Sequence, residues 1–523
     1  MNKVIRNSLL LTALAVMSNV QADDAHNQTF LNPRSHGVNL ALENVNGWQK
    51  LIHRKGADDT FGGNFQVIGY YMASTDEEEL GEYFAPATNP VDNPLKDNDF
   101  NFGSAAGNTA VTQTLNFRNF VHQRTDIAVG ETVKLSLNPE QRAYGVTLNY
   151  HQDLDKILKG LYFKINVPIV NVENSIDPEY AAGAVPVAAL GEVGNPLLAP
   201  QPSALDALKG YFDGTFSNNA ANNSQAALQF LKFGAKNNED SSTGVADIDF
   251  ILGYYFLYKN KYRLAVNMGF TIPTGDDAEC KKLFEALVGN GDHWALGAGF
   301  DGGATMWHDG DHSLTFHSAL NYRYLFEGTE KRTLGLKDAA GNIIPWGHYA
   351  LVGKSNATGG AVTLVPAANM LTVDCDVTPG SQLDMIVAFA YHYCGFTFDL
   401  GYNMFFREEE DVDRKGSTAI FGELTAGPNS WGIVNPDVNT SVGIANNGSS
   451  FVNGLTLVDS KNVTTDNAET PSQLTHKIYA GVAYATYGWD VPLFVGLNGH
   501  YEWASDNTGI SNWGIGAKAG VAF

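Results

Sequence analysis

The sequence predicts an all-β chain, an antiparallel transmembrane β-barrel of about fourteen strands with short periplasmic turns and long extracellular loops. Three observations predict it. Long stretches alternate apolar residues with small or polar ones at period two, the pattern of strands with one apolar face. Connections between them alternate in length, short on one side and long on the other. The first residues carry an export leader.

The leader is MNKVIRNSLLLTALAVMSNVQA (1–22). Lys3 and Arg6 precede an apolar run from Leu9 to Met17, and Val20-Gln21-Ala22 supplies a small-residue cleavage site, so cleavage is expected after Ala22. The run is too short for a spanning helix, and later apolar stretches such as 180–200 are broken by Pro and Gly. Residues 23–62 have a length suited to a periplasmic or lumen-plugging segment, and the barrel is assigned to 63–523.

Composition narrows the class. A formal charge of −23 argues against nucleic acid as a partner. Gly reaches 54 of 523 residues while aromatics stay at 11%, which favours tight-turned β-structure over disorder. Cys280, Cys375 and Cys394 permit at most one disulfide. The expected pair is Cys280 with Cys375, both in predicted outer loops.

The strands follow in order. In 245–258, Ile248, Phe250, Leu252, Tyr254, Phe256 and Tyr258 share one face, and Asp247, Asp249, Gly253 and Tyr255 share the other. After Lys259-Asn260-Lys261 the pattern resumes in 262–272. It returns in 293–307 and 313–326, in 382–393 and 395–407, in 474–486 and 491–503, and in 513–523. Upstream, 63–74, 112–123, 128–137, 142–152 and 160–172 complete the set. Near-side turns then fall at Arg124–Ile127, Gln152–Lys159, Lys259–Lys261, His308–His312, Tyr393–Gly395 and Tyr487–Asp490. Far-side connections fall at 75–111, 173–244, 274–292, 327–381 and 408–473, with short ones near 138–141 and 504–512. Aromatics such as Tyr258, Tyr262, Trp294, Phe326, Tyr393 and Trp503 mark the two expected interfaces.

The last strand places Trp513, Ile515, Ala517, Ala519, Val521 and Phe523 on one parity and Gly514, Gly516, Lys518 and Gly520 on the other. It resembles the C-terminal signal read by the outer-membrane barrel assembly machinery of Gram-negative bacteria. That resemblance implies an outer-membrane location and, as partners, the assembly machinery, outer-membrane lipid and lipopolysaccharide. The hairpin STGVADIDFILGYYFLYKNKYRLAVNMGFTIPTGDD (242–277) is similar to one in the FadL-type superfamily, through Gly244, Asp247 and Pro273-Thr274-Gly275. That superfamily includes fatty-acid and phenol-pathway (MetA-type) hydrocarbon channels. Its members imply fourteen strands, an N-terminal plug and a small-molecule solute.

Taking the less apolar parity as inward, the charged residues expected to line the lumen are Lys164, Asp247, Asp249, Arg263, Asp301, Arg323, Asp384, Asp399, Arg407, His500, Glu502 and Lys518. Pairing across the lumen, as between Asp247 or Asp249 and Arg263, competes with solute selection as their role. Acidic clusters at Asp76–Glu79 with Glu82, and at Glu408–Asp411 with Asp413, read as solvated loops or as divalent-cation sites in lipopolysaccharide.

Motifs of catalysis fail on spacing. GHYALVGKS (347–355) has five residues between its glycines where a phosphate loop needs four. Ser318 points to the opposite face from His317, so no triad forms on 313–318. No catalytic residue, metal site or cofactor is assigned, His308 and His312 included. The expected role is passive uptake of small solutes, apolar ones if the FadL-type resemblance governs. A general diffusion porin and a barrel-anchored adhesin are the alternatives. Continuous apolar outward faces suit lipid and a second protomer equally.

Overall fold

The computed structural model describes residues 25–37, 39–45, 62–86, 99–103, 114–116, 120–121, 132–182, 204–219, 223–233, 240–259, 261–354, 362–416, 419–423, 429–434, 451–486 and 491–523. The leader 1–22 and the expected turns at Arg124–Ile127 and Tyr487–Asp490 lie outside them.

One antiparallel sheet closes on itself. Its strands are β1 (Gly63–Ser74), β2 (Glu140–Asp153), β3 (Leu161–Ser175), β4 (Asp240–Val245), β5 (Ile248–Lys259), β6 (Tyr262–Ile272), β7 (Ala295–Asp309), β8 (His312–Leu325), β9 (Gly380–Tyr393), β10 (Phe396–Arg407), β11 (Gln473–Ala485), β12 (Leu493–Ala504) and β13 (Asn512–Ala522). Short β4 and long β5 share one edge of β3, so twelve positions make up the ring. The seam lies between β13 and β1, where Gly63 and Phe523 exchange both backbone hydrogen bonds at 2.9 Å. Closure leaves no free edge in the ring of twelve, while short β4 has a ladder on one side only, with β3.

The expectation of about fourteen strands, and the fourteen implied by the FadL-type resemblance, are corrected to twelve. The stretches 112–123 and 128–137 do not enter the wall. Within them only Thr114–Asn116 and Thr132–Ser136 are strands among the described residues, and they pair with Asp99–Gly103 and Glu179–Ala182 in a separate four-stranded sheet. Three and five residues are too few to span a wall whose full strands run from 11 to 15. The short connection expected at 138–141 is therefore the end of one long excursion from β1 to β2.

Side chains alternate across the wall as period two dictates. Leu252, Tyr254 and Phe256 are exposed outward, while Asp249 and Tyr255 on the same strand are buried. The expectation that Tyr258 shares the outward face is corrected: a bulge at Phe256 shifts the alternation, so Tyr258 lies opposite Arg263 with its ring 5.7 Å from that of Tyr255. Exposed Val266, Met268, Leu400, Leu497 and Ile515 continue this apolar outer belt, and exposed Trp513, Ala517, Ala519 and Phe523 belong to it. Two inward glycines are required by their neighbours. Gly253 faces Tyr162 and Gly401 faces Tyr479 in register, and a Cβ would fall 2.1 Å and 2.2 Å from the respective Cζ atoms. The rings lie across the glycine backbones and fill the space that those residues leave.

The β4/β5 break has a local cause. Pro168 in β3 has no N–H to donate on that edge, although its carbonyl accepts from Ala246 N at 2.9 Å. The ladder resumes one residue out of step at Asp249 opposite Asn166, and Asp247 sits buried in the interruption.

The long connections share one rim, by antiparallel alternation from β1 onward. They build a cap with its own aromatic core, in which Tyr83, Phe84, Phe100, Phe102, Tyr211, Phe212, Trp346 and Tyr349 are fully buried. The acidic run after β1 acquires a structural role here. Asp76 N-caps a helix at Glu77–Phe84, accepting from Glu79 N at 3.3 Å, and Glu77, Glu78 and Glu79 occupy its first turn. The expected Cys280–Cys375 disulfide is absent. Both thiols are free and buried, with Cys280 Sγ donating to the Lys331 carbonyl at 3.1 Å.

Candidate functional site: the barrel interior

Residues 25–37 and 39–45 run through the cap and into the barrel. Within the cap, Ala25 exchanges hydrogen bonds with the Asn507 side chain at 2.8 and 2.7 Å. Thr29 Oγ1 donates to Thr333 O at 2.6 Å, and Asn32 Nδ2 donates to Glu410 Oε1 at 2.8 Å. The Phe30 ring lies 3.6 Å from the Arg332 guanidinium. Arg332 is fully buried between Glu330 and Glu410, and Glu330 also accepts from His293 Nε2 at 2.6 Å. Burial opposes charge on the His293 ring, but the Glu330 hydrogen bond and charge outweigh it and raise its pKa. Burial likewise opposes charge on Glu410, while Arg332 and Arg407 hold its carboxyl below the usual range.

Below the rim the segment meets the wall through Arg34. Its Nη2 is 2.9 Å from Asp384 Oδ2, its Nη1 is 3.1 Å from both Glu502 Oε1 and Asn403 Oδ1, and its guanidinium lies 4.5 Å from the Phe405 ring. Lys477 Nζ takes the second Glu502 oxygen at 2.8 Å. Ser35 and Gly37 pack against the wall break: Ser35 Oγ is 3.5 Å from Asp247 Oδ2, and a Cβ on Gly37 would lie 3.1 Å from Pro168 Cγ.

A short helix, Leu40–Asn44, then bridges two sides of the interior. Asn39 N-caps it by accepting from Leu42 N at 3.0 Å. Leu40, Ala41 and Val45 pack on Ala319, Ile386, Ala388 and Tyr479, while Leu42 packs on Ile68, Tyr70, Ala143 and Val172. Lys518 Nζ donates to the carbonyls of Glu43 and Val45 at 2.8 Å, satisfying the helix end, and Asn166 Nδ2 donates to Glu43 Oε1 at 2.9 Å.

The structure distributes the remaining residues named from the sequence as follows. Asp249 pairs with Arg323 at 2.7 Å, not with Arg263. Arg263 instead lies 2.9 Å from His317 Nδ1 and 3.8 Å from Asp301. The register explains this: Asp249 faces Thr271 on β6, whereas Arg263 sits near the other end of that strand, opposite Tyr258. Lys164 lies 5.6 Å from the Tyr162 ring, and His500 Nε2 is 3.1 Å from Asn512 Oδ1. Asp399 is buried in mid-wall, and Arg407 is buried at the rim in the field of Glu410.

Arg34, His36, Glu43 and Lys477 are central to this interior and are absent from the sequence-derived set. One signal was available for Arg34. It is the sole Lys or Arg between residues 23 and 49. Lys477 shares the parity of Tyr479, but its neighbours Thr475 and His476 blur the alternation of that strand.

No family model matches the chain, and no curated protein matches it. Among solved structures, an outer-membrane channel of Pseudomonas putida F1 is similar at 8% identity over 89% of this chain and 97% of that one, with a TM-score of 0.37. The Pseudomonas putida toluene transporter TodX is similar at 10% identity over 96% and 98%, with a TM-score of 0.30. A Pseudomonas aeruginosa FadL homologue is similar at 9% identity over the same 96% and 98%, with a TM-score of 0.29. At these scores the likenesses carry no argument, and the closed β-barrel of this chain is established by its own unbroken ring of paired strands.

Proposed function

We propose that the protein is an outer-membrane channel for passive uptake of small solutes, held closed at rest by residues 25–45. The observation that carries this reading is the Arg34 contact with Asp384 and Glu502 inside a barrel whose outer face is apolar. An apolar belt suits lipid, and charged groups inside it suit an aqueous path. The segment is held by ion pairs, hydrogen bonds and small apolar contacts, which a conformational change breaks and remakes without chemistry. An interior occupied in this way favours a gated channel over an always-open general porin. In this reading the outward face of β13 engages the barrel assembly machinery, and outer-membrane lipid and lipopolysaccharide surround the belt.

Single-channel recording in planar bilayers tests the proposal. The intact protein is expected to be silent or to open briefly, and a form lacking residues 25–45 is expected to conduct steadily. Steady conductance from the intact protein would make it an open porin. Silence from both would favour a second reading, a barrel that anchors its cap as an adhesin, which the ordered aromatic core of the cap supports.

A further inference from the structure

The connections on the rim opposite the cap are short, and two of them are neighbours because β3 and β5 pair directly. One joins β2 to β3 through Leu154-Asp155-Lys156-Ile157-Leu158-Lys159-Gly160, and the other joins β5 to β6 at Lys259 and Lys261. The first is a firmly built turn. Ile157 N and Leu158 N donate to Leu154 O at 2.8 and 3.1 Å, and Leu161 N donates to Leu158 O at 2.9 Å. Tyr255 N donates to Gly160 O at 2.7 Å and fastens this turn to β5. Thr305 N donates to Lys261 O at 2.9 Å and fastens the second turn to β7.

Two features of this sector go beyond what closing a barrel requires. Ile157 is 71% exposed, more than any other large apolar side chain among the described residues, and its neighbour Leu158 is 53% exposed. Left in water, this ordered aliphatic pair is unfavourable in a way that a polar turn avoids. The second feature is charge. Lys156, Lys159, Lys259 and Lys261 are all exposed here, in a chain whose formal charge is −23. The carboxylates beside them serve the backbone of the turn: Asp153 Oδ1 accepts from Asp155 N at 2.9 Å, and Asp155 Oδ1 accepts from Gly160 N. At the same rim, the turn His308–His312 carries Asp309 and Asp311 and no lysine, and Tyr393–Gly395 carries neither sign. Positive charge is gathered in one sector.

The outward face above the turns shows what meets them. The Tyr150 ring lies 5.7 Å from Phe163 and 6.4 Å from Phe523, and Tyr262 is exposed on β6. Rings at the end of an apolar belt mark the level of lipid headgroups. An aliphatic pair at that level, flanked by ammonium groups on flexible stems, complements a lipid: the apolar side chains enter the acyl region and the lysines reach its phosphate. Continuity with the belt favours lipid over an acidic protein.

We propose that these two turns form a site for an anionic phospholipid of the periplasmic leaflet, with Ile157 and Leu158 among its acyl chains and the four lysines at its phosphate. The inference rests on the reading of the barrel as an outer-membrane channel, and its test separates the two.

Native mass spectrometry of the full protein in detergent compares cardiolipin and phosphatidylglycerol with phosphatidylethanolamine, which bears a phosphate without net charge. The anionic lipids are expected to bind at least about tenfold more tightly. Lys156→Gln, Lys159→Gln, Lys259→Gln and Lys261→Gln together are expected to abolish that preference. Should the four together not fold, Lys259→Gln with Lys261→Gln is expected to cut it at least about threefold. Equal binding of the three lipids would overturn the proposal and point to an acidic protein instead. A preference unchanged in the folded variants would overturn it too. Depth is read in vesicles of phosphatidylglycerol and phosphatidylethanolamine, with nitroxides attached to Ile157→Cys and to Leu497→Cys on the outward face of β12, each with Cys394→Ser. Oxygen, which concentrates among acyl chains, is expected to relax both labels more than a water-soluble nickel complex does. A label in lipid at position 497 with one in water at 157 would remove this site and leave the membrane barrel standing. Both labels in water would remove the membrane reading, and the site with it.

Discussion

The guanidinium of Arg34 lies 2.9 Å from the carboxylate of Asp384, 350 residues away along the chain, and both groups are largely withdrawn from solvent. The contact joins the threaded segment to β9, while the same side chain reaches Glu502 on β12. One residue therefore ties the segment to two parts of the wall. Its planar fork suits this, because it engages two carboxylates at once.

Arg34→Ala is expected to release the segment. Breaking a buried pair costs about 3–5 kcal/mol, although Lys477 still neutralises part of the Glu502 charge here. Steady conductance in planar bilayers, with a lower thermal midpoint, is the expected result. Arg34→Lys keeps the charge but not the fork, so its open probability should fall between wild type and Arg34→Ala. Wild-type silence in Arg34→Ala would show that the ion pairs do not hold the pore shut.

Gly401→Val is expected to destabilise the barrel by about 1–3 kcal/mol, because the new side chain claims the space of the buried Tyr479 ring. Tyr479 also packs on Leu40, Ala41 and Val45, so the variant should loosen the threaded segment as well. Thermal unfolding of Gly401→Val alone and with Tyr479→Ala checks this. The second substitution should recover part of the loss if the clash is the cause.

The cap is expected to be most stable at mildly acidic pH. The folded-state pKa of His293 is raised, so its contribution is complete below the ordinary value of about 6.5 and is lost as pH climbs through the raised one. Glu410 has the opposite sign. Its carboxyl is depressed, so its contribution is present above about 4.3 and fades as pH falls through the folded value. Limited proteolysis of the cap across pH 4 to 9 should trace a maximum between these limits, on general carboxylate and imidazole grounds. His293→Gln should flatten the alkaline side alone.

Trp346→Ala is expected to cost about 3–5 kcal/mol within the cap. The indole is fully buried, its Nε1 donates to Phe84 O at 2.9 Å, and its backbone N–H donates to Asn27 Oδ1 at 2.7 Å. It also holds a left-handed backbone at φ 51°, which such contacts must stabilise. Hydrogen exchange should rise across 77–86, 204–212 and 346–351 while the barrel ladder stays protected. Uniform exchange across cap and wall would mean the two unfold as one unit.

Much of the architecture was legible because it depends on local rules. Period two assigned Leu252, Tyr254 and Phe256 to one face and Asp249 to the other, with no need for neighbours. Connection lengths separated the rim of long excursions from the rim of short turns. Strand number was not legible, since Thr114–Asn116 and Thr132–Ser136 carry the same alternation as wall strands and differ only in how far it is extended and what it pairs with.

What the sequence alone determined, then, is the alternation, the antiparallel order and a last strand shaped to close the wall. The tertiary structure decided which charges meet: Arg323 rather than Arg263 for Asp249, and Arg34 for Asp384 and Glu502. Periodicity fixes the face from which a side chain projects. Its height in the barrel, and what lies across the interior, depend on the register summed around the closed ring and on the path of a segment inside it. Those quantities exist only once the ring has closed.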